Sequence, residues 1–253
     1  MISNIFFRSS LLAVGLAITI PSAKAADIIT TQKAQTLLNT QPHSIEAISG
    51  KMLNTPYVAD TLIGSSTIPE KLVINVNSVD CFTFIDDVLA LYQSHDLNDL
   101  TKNMTKIRYV DGKVNFLDRK HFFSDWYSRS PQNAKDITQQ ISPHAVTILK
   151  HLNRKADGSE YLPGLGITAR EIHYIPSTYV NDDVINHLKT DDFIGIYTPK
   201  DGLDASHVGI LIKKDNQIYF RNASSLAKNR KVVDSPLLQY IHNKPGIMVL
   251  RAQ

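Results

Sequence analysis

The apolar positions of this chain change their period near residue 193. Before that point they recur mostly at helical spacing, and after it they alternate, as in strands with one buried face. Ile28–Leu38 and Ser44–Leu53 read as two helices split by Pro42, with Ser44 capping the second and Pro56 stopping further helix. LVINVNS, residues 72–78, alternates and reads as extended. Phe82, Ile85, Leu89 and Tyr92 then repeat at helical spacing, and Phe84, Val88 and Leu91 widen the stripe, so a largely buried helix follows. Ser78 and Asp80 are both candidate caps, and either sets Cys81 at or just inside the helix start.

The middle of the chain, about residues 95–190, is mixed. IRYVDGKVNFLDR suggests a short hairpin around Asp111-Gly112, and HFFSDWYSRS is rich in aromatic residues. Pro143–Leu152 looks helical, and ADGSEYLPGLG reads as a glycine-punctuated loop. ITAREIHYIPS fits either a short strand or a turn of helix, and STYVNDDVINHLKTDD fits a helix capped near Asn181. Residues 193–199, 207–224 and 246–252 read as strands, the central piece being a hairpin that turns at Lys214-Asp215-Asn216. A helix opened by a cysteine and followed much later by antiparallel strands predicts an α+β domain. The expectation is a helix packed on a curled antiparallel sheet, with the middle segment as an accessory lobe.

The first residues alter the domain plan. Arg8, the apolar run Leu11–Ile20 and Ala23-Lys24-Ala25 have the order of an export signal, cleaved after Ala25. The run is too short for a membrane span, which takes about 20 apolar residues. One domain over 26–253 is expected, in an exported or periplasmic protein. Removing the signal leaves 25 basic against 24 acidic residues, which argues against a nucleic-acid partner held by charge excess.

A lone cysteine in an oxidising compartment forms no internal disulfide, so Cys81 is either an inert core residue or a reactive thiol. It shares a helix face with Ile85, Val88 and Tyr92, where a core cysteine would sit. A helix start also lowers a thiol's pKa and offers backbone N–H groups to an oxyanion. His207 opens a strand in which Gly209 removes a side chain on the same face, leaving room for a substrate or a helix end. A hairpin turning near Asp215 sets Asn222 almost opposite His207, within side-chain reach. No HExxH motif is present and no metal or other cofactor is implied.

At LNTPYVADTL (53–62), LVINVNSVDCFTFIDDVLAL (72–91), DRKHFFSDW (118–126), ITAREIHYI (167–175) and SHVGILIKKDNQIYFRNASS (206–225) the chain resembles the NlpC/P60 superfamily of papain-like cysteine hydrolases. More narrowly it resembles the N-acetylmuramoyl-L-alanine amidase-like group known as domain of unknown function 1460. The resemblance implies Cys81 as nucleophile, His207 as general base, Asn222 as its orienting partner and Tyr57 near the scissile carbonyl. It differs in having Asn222 where histidine is more usual and Phe82 where a small polar residue is more usual. Arg221 and Ser224 are further substrate-contact candidates, while His121, Trp126, Arg170 and His173 fall in family-like pieces of the middle segment. The implied substrate is peptidoglycan or a muropeptide, cut between N-acetylmuramic acid and L-alanine. The alternatives are the D-glutamyl–diamino acid bond, or binding without cleavage.

Overall fold

The computed structural model describes residues 28–29 and 31–253, so the expected signal, residues 1–25, lies outside the described residues. The helices are α1 (Thr31–Leu38), α2 (Ile45–Lys51), α3 (Cys81–Tyr92), α4 (Leu97–Arg108), α5 (Asp125–Ser128), α6 (Thr138–Ile141), α7 (Asp182–His187) and α8 (Leu237–Ile241). The strands are β1 (Ile28–Ile29), β2 (Val73–Ile74), β3 (Ala134–Asp136), β4 (Val146–Leu152), β5 (Thr168–Pro176), β6 (Phe193–Tyr197), β7 (Ala205–Lys214), β8 (Gln217–Ser224), β9 (Lys231–Pro236) and β10 (Gly246–Ala252).

Eight strands form one antiparallel sheet in the order β4-β5-β10-β6-β7-β8-β9, with β3 also on β10. The mixed α+β character is as expected, but the sheet is not the curled one. Its path runs from an edge at β4 to an edge at β9, and these two strands do not pair. The cause lies in the middle of the chain, which contributes β4 and β5 to the same sheet instead of folding apart from it. Pro143–Leu152, expected to be helical, supplies β4, because Ile148 and Lys150 pair with Ile172 and Arg170 of β5. The segment expected to form a hairpin at Asp111-Gly112 instead makes two short 3-10 turns, Val110–Gly112 and Phe116–Asp118.

The central strand shows why two layers cover the sheet. Every residue of β6, FIGIY, is buried. Phe193 and Tyr197 join the cluster under α1–α4, while Ile194 and Ile196 join a second cluster with Val184 of α7 and Leu237 and Ile241 of α8. Phe84, Ile85, Val88, Leu89 and Leu91 of α3 are all fully buried, each worth about 1.5–3 kcal/mol of apolar transfer. Arg108 of α4 locks this helix further, reaching Asp86 at 2.9 Å, Asp87 at 3.6 Å and the Val73 carbonyl. Whatever stands at the start of α3 is therefore held on a rigid element.

Candidate active site

Asp80, not Ser78, caps α3. Its Oδ1 accepts from the N–H groups of Phe82 and Thr83 at 2.9 and 2.7 Å, and the Thr83 hydroxyl accepts from the Asp80 N–H at 2.9 Å. Ser78 instead accepts from Asn75 Nδ2 at 3.0 Å. Cys81 is thus the first helical residue, half-buried, with its thiol free. Alongside runs the segment Pro56–Val58, tied to Val79 by Val58 N–H to Val79 O and Val79 N–H to Pro56 O, both at 3.0 Å. This lays Tyr57 beside the helix mouth, its ring covered by the Arg230 guanidinium at 4.7 Å.

His207 arrives from β7. Asp215 and Asn216 both take left-handed φ values, 51° and 57°, so the hairpin closes as a two-residue turn with Lys214 opposite Gln217. That register places Asn222 diagonal to His207 rather than opposite it, and the β7–β8 ladder ends at Ile210↔Arg221. The two side chains still meet: His207 Nε2 and Asn222 Oδ1 are 3.0 Å apart. Asn222 is fully buried, and its Nδ2 donates to the Phe220 carbonyl at 3.0 Å and reaches the Ser235 hydroxyl at 3.4 Å. With the amide fixed in that sense, its oxygen accepts from Nε2–H and the lone pair falls on Nδ1. Gly209 does not open space for a substrate. A Cβ there would lie 2.4 Å from the Arg221 carbonyl oxygen and 2.6 Å from the Phe220 ring, whose edge packs on His207 at 5.8 Å.

The two candidates approach through their neighbours. The backbone N–H of Val208, next to His207, bears on the Cys81 sulfur, as do those of Cys81 and Phe82. Tyr240 of α8 stacks on His207 at 6.2 Å and 24° and also feels the charge of Cys81. Burial pushes the Cys81 thiol up to about 12, and Asp80 adds to the shift, while the three N–H groups oppose it. The lowered thiol pKa expected of a helix start is therefore not found: burial and the capping carboxylate together outweigh the backbone N–H groups. Burial also holds His207 below its ordinary value; the Asn222 hydrogen bond raises it, Lys244 lowers it and Asp80 raises it. Burial lifts Tyr57 as well, followed by the charge of Cys81. At neutral pH these directions describe a neutral thiol, a neutral imidazole and a protonated phenol.

A cavity of about 220 Å³ opens beside His207, lined by Ile196, Ser206, Ser224, Ser225, Tyr240 and Lys244. Ser224 is buried there, its hydroxyl accepting from Asn229 Nδ2 at 3.1 Å. Arg221 points elsewhere. It is buried, paired with Asp234 at 2.7 and 2.8 Å, and donates to Glu46 O and Ser49 Oγ at 3.0 Å, so it pins α2 to the hairpin and leaves no group for a substrate. The middle-segment candidates also have internal partners. Trp126 is buried with its ring edge-on to Phe82, His121 contacts the Phe116 carbonyl at 2.7 Å, Arg170 donates to Ser124 and Asp125, and His173 meets Asp136 at 2.8 Å. Phe82 is thus explained as a packing residue for that aromatic segment. Tyr240 and Lys244 had no sequence signal: they lie in and after a five-residue helix too short to show a period.

A thiol at a helix mouth and an imidazole oriented by a buried amide lie on this α+β scaffold, and comparison with known proteins shows its class to be the general papain-like amidases. The chain belongs to the AmiA-like family, N-acetylmuramoyl-L-alanine amidase-like, whose model matches residues 47–247. It is similar to an N-acetylmuramoyl-L-alanine amidase from Bacteroides uniformis, with 30% identity, a TM-score of 0.72, and 83% of this chain and 99% of that one covered. A Legionella pneumophila protein matching the DUF1460 family model shares the fold at 22% identity and a TM-score of 0.73, covering 87% and 93% of the two chains. A Bacteroides fragilis protein with a provisional xylanase description is 30% identical, with a TM-score of 0.66 and 80% and 98% covered. No curated protein matches the chain.

Proposed function

We propose that this protein is an exported muropeptide amidase of the NlpC/P60 superfamily that cleaves the amide between N-acetylmuramic acid and L-alanine, with Cys81 as nucleophile and His207 as base. The observation that carries the reading is the His207–Asn222 hydrogen bond, made on the strand whose next residue, Val208, bears on the Cys81 sulfur. In the proposed reaction the thiol proton passes to His207 Nδ1 as sulfur bonds to the carbonyl carbon. The oxyanion forms beside the Cys81 N–H, the early α3 donor not taken by Asp80, and beside the Tyr57 hydroxyl. Collapse breaks the C–N bond, and His207 returns its proton to the leaving amine. Water then attacks the thioester, its proton goes to Nδ1, and the C–S bond breaks to restore the thiol. A glycosidase reading has less support, since it requires two carboxyl groups flanking the bond, and Asp80 is committed to the α3 cap.

Purified muropeptides digested with wild type and with Cys81→Ala, followed by product masses, test this reading. Release of intact stem peptide by wild type alone supports it, equal turnover by both proteins overturns it, and a fragment cut after D-glutamate assigns the endopeptidase bond instead. Export is tested by sequencing the N-terminus of the protein recovered outside the cytoplasm, which should begin at Ala26.

A further inference from the structure

The cavity beside His207 contains a cation that the reaction above does not use. Lys244 stands between α8 and β10, where its N–H donates to Ile241 O at 2.8 Å and Pro245 restricts its backbone. The Pro245 carbonyl in turn accepts from the Ser177 N–H at 3.3 Å. The main chain therefore fixes where the side chain starts. Its Nζ lies 5.9 Å from the centre of the Tyr240 ring, the ring that stacks on His207. Lys244 makes no ion pair among the described residues, in common with several other lysines, and what distinguishes it is its place on the cavity wall beside His207. No carboxylate lines the cavity, whereas the hydroxyls of Ser206 and Ser225 do.

We propose that this cavity is an anion subsite in which Lys244, with Ser225 on the same wall, holds a substrate carboxylate one residue beyond the scissile amide. The inference rests on the amidase reading and adds to it a requirement on the substrate: a free acid close to the bond. An exposed cation that shares its cavity wall with serine hydroxyls and an aromatic ring, with no acid among them, suits a carboxylate and disfavours an ammonium group. The charges facing His207 give a second consequence. Asp80 acts on it from α3, where Cys81 acts on Tyr240, and Tyr240 faces it from α8 and Lys244 from the following loop; burial is the main cause that lowers the imidazole, and Lys244 is the cation that lowers it further. A carboxylate arriving on Lys244 weakens that influence as the thiol proton moves to Nδ1. Substrate binding and proton acceptance then favour one another.

The test uses a muramoyl tripeptide with its D-glutamate α-carboxylate free, and the same compound with that group amidated. At a pH above the acidic limb, Lys244→Gln should raise KM on the free acid about fivefold, the scale of a solvent-accessible ion pair, and leave KM on the amidated substrate unchanged. Lys244→Arg should restore the free-acid KM. The acidic limb of kcat/KM should move to higher pH in Lys244→Gln, because the imidazole loses a repelling charge. Equal changes in KM on both substrates at that pH, or none on either, overturn the subsite and leave the amidase reading intact. A wild type that cleaves neither compound overturns the amidase reading and the subsite with it.

Discussion

His207 Nε2 and Asn222 Oδ1 lie 3.0 Å apart, and the Asn222 amide is held the other way round by the Phe220 carbonyl. The pair therefore fixes a tautomer as well as a position. Asn222→Ala should leave the imidazole free to turn and lower kcat by about ten- to a hundredfold, part of what a positioned base supplies. Asn222→Asp should place a negative charge on the same atom, raise the His207 pKa and move the acidic limb of kcat/KM upward. Rate profiles from pH 5 to 9 check both outcomes.

Asp80 faces the sulfur with a negative charge while capping α3 through Oδ1. Wild type should alkylate slowly with iodoacetamide at neutral pH, since a thiol pushed up to about 12 is almost wholly protonated. Asp80→Asn keeps an oxygen for the cap, removes the charge and lowers the thiol pKa, so alkylation at pH 8 should quicken. A slower reaction in the variant would contradict the assignment.

Arg221 is a structural residue by its contacts. Arg221→Ala strands Asp234 and breaks the tie to Glu46 and Ser49, which should reduce stability by about 2–4 kcal/mol. The KM of the protein that remains folded should not change. Denaturant unfolding with parallel kinetics separates this from a substrate contact.

Asp87 should set part of the pH dependence of folding. It is buried, neither carboxyl oxygen has a hydrogen-bond partner among the described residues, and burial pushes it up to about 8 against the attraction of Arg108. Between about pH 4 and about pH 8 the folded chain retains a proton that the unfolded chain has released, so this group's contribution to stability falls as pH rises across that window. Asp87→Asn should flatten the decline, and melting temperatures at pH 5, 6.5 and 8 measure it. A steeper decline in the variant would refute the assignment.

Much of the site's local scaffolding was legible in the sequence. The apolar stripe from Phe82 to Tyr92 gave α3 and put Cys81 at its mouth, and the turn residues Asp215-Asn216 gave the β7–β8 hairpin. Asn181 caps α7 as its position suggested. Less was legible where neighbours decide. Pro143–Leu152 read as helical, and only pairing with β5 makes Val146–Leu152 a strand, while His207 and Asn222 meet beyond the last β7–β8 pair, Ile210↔Arg221.

The chain by itself determined which stretches turn, which coil and where the thiol and imidazole stand along them, because caps, turn dihedrals and apolar period act over a few residues. Tertiary packing alone decided that the sheet stays open, that Arg221 faces Asp234 and that Tyr240 and Lys244 join His207. It also reversed the expected thiol pKa shift. Burial and charge sum over every element that surrounds a group, and those elements lie far apart in the sequence.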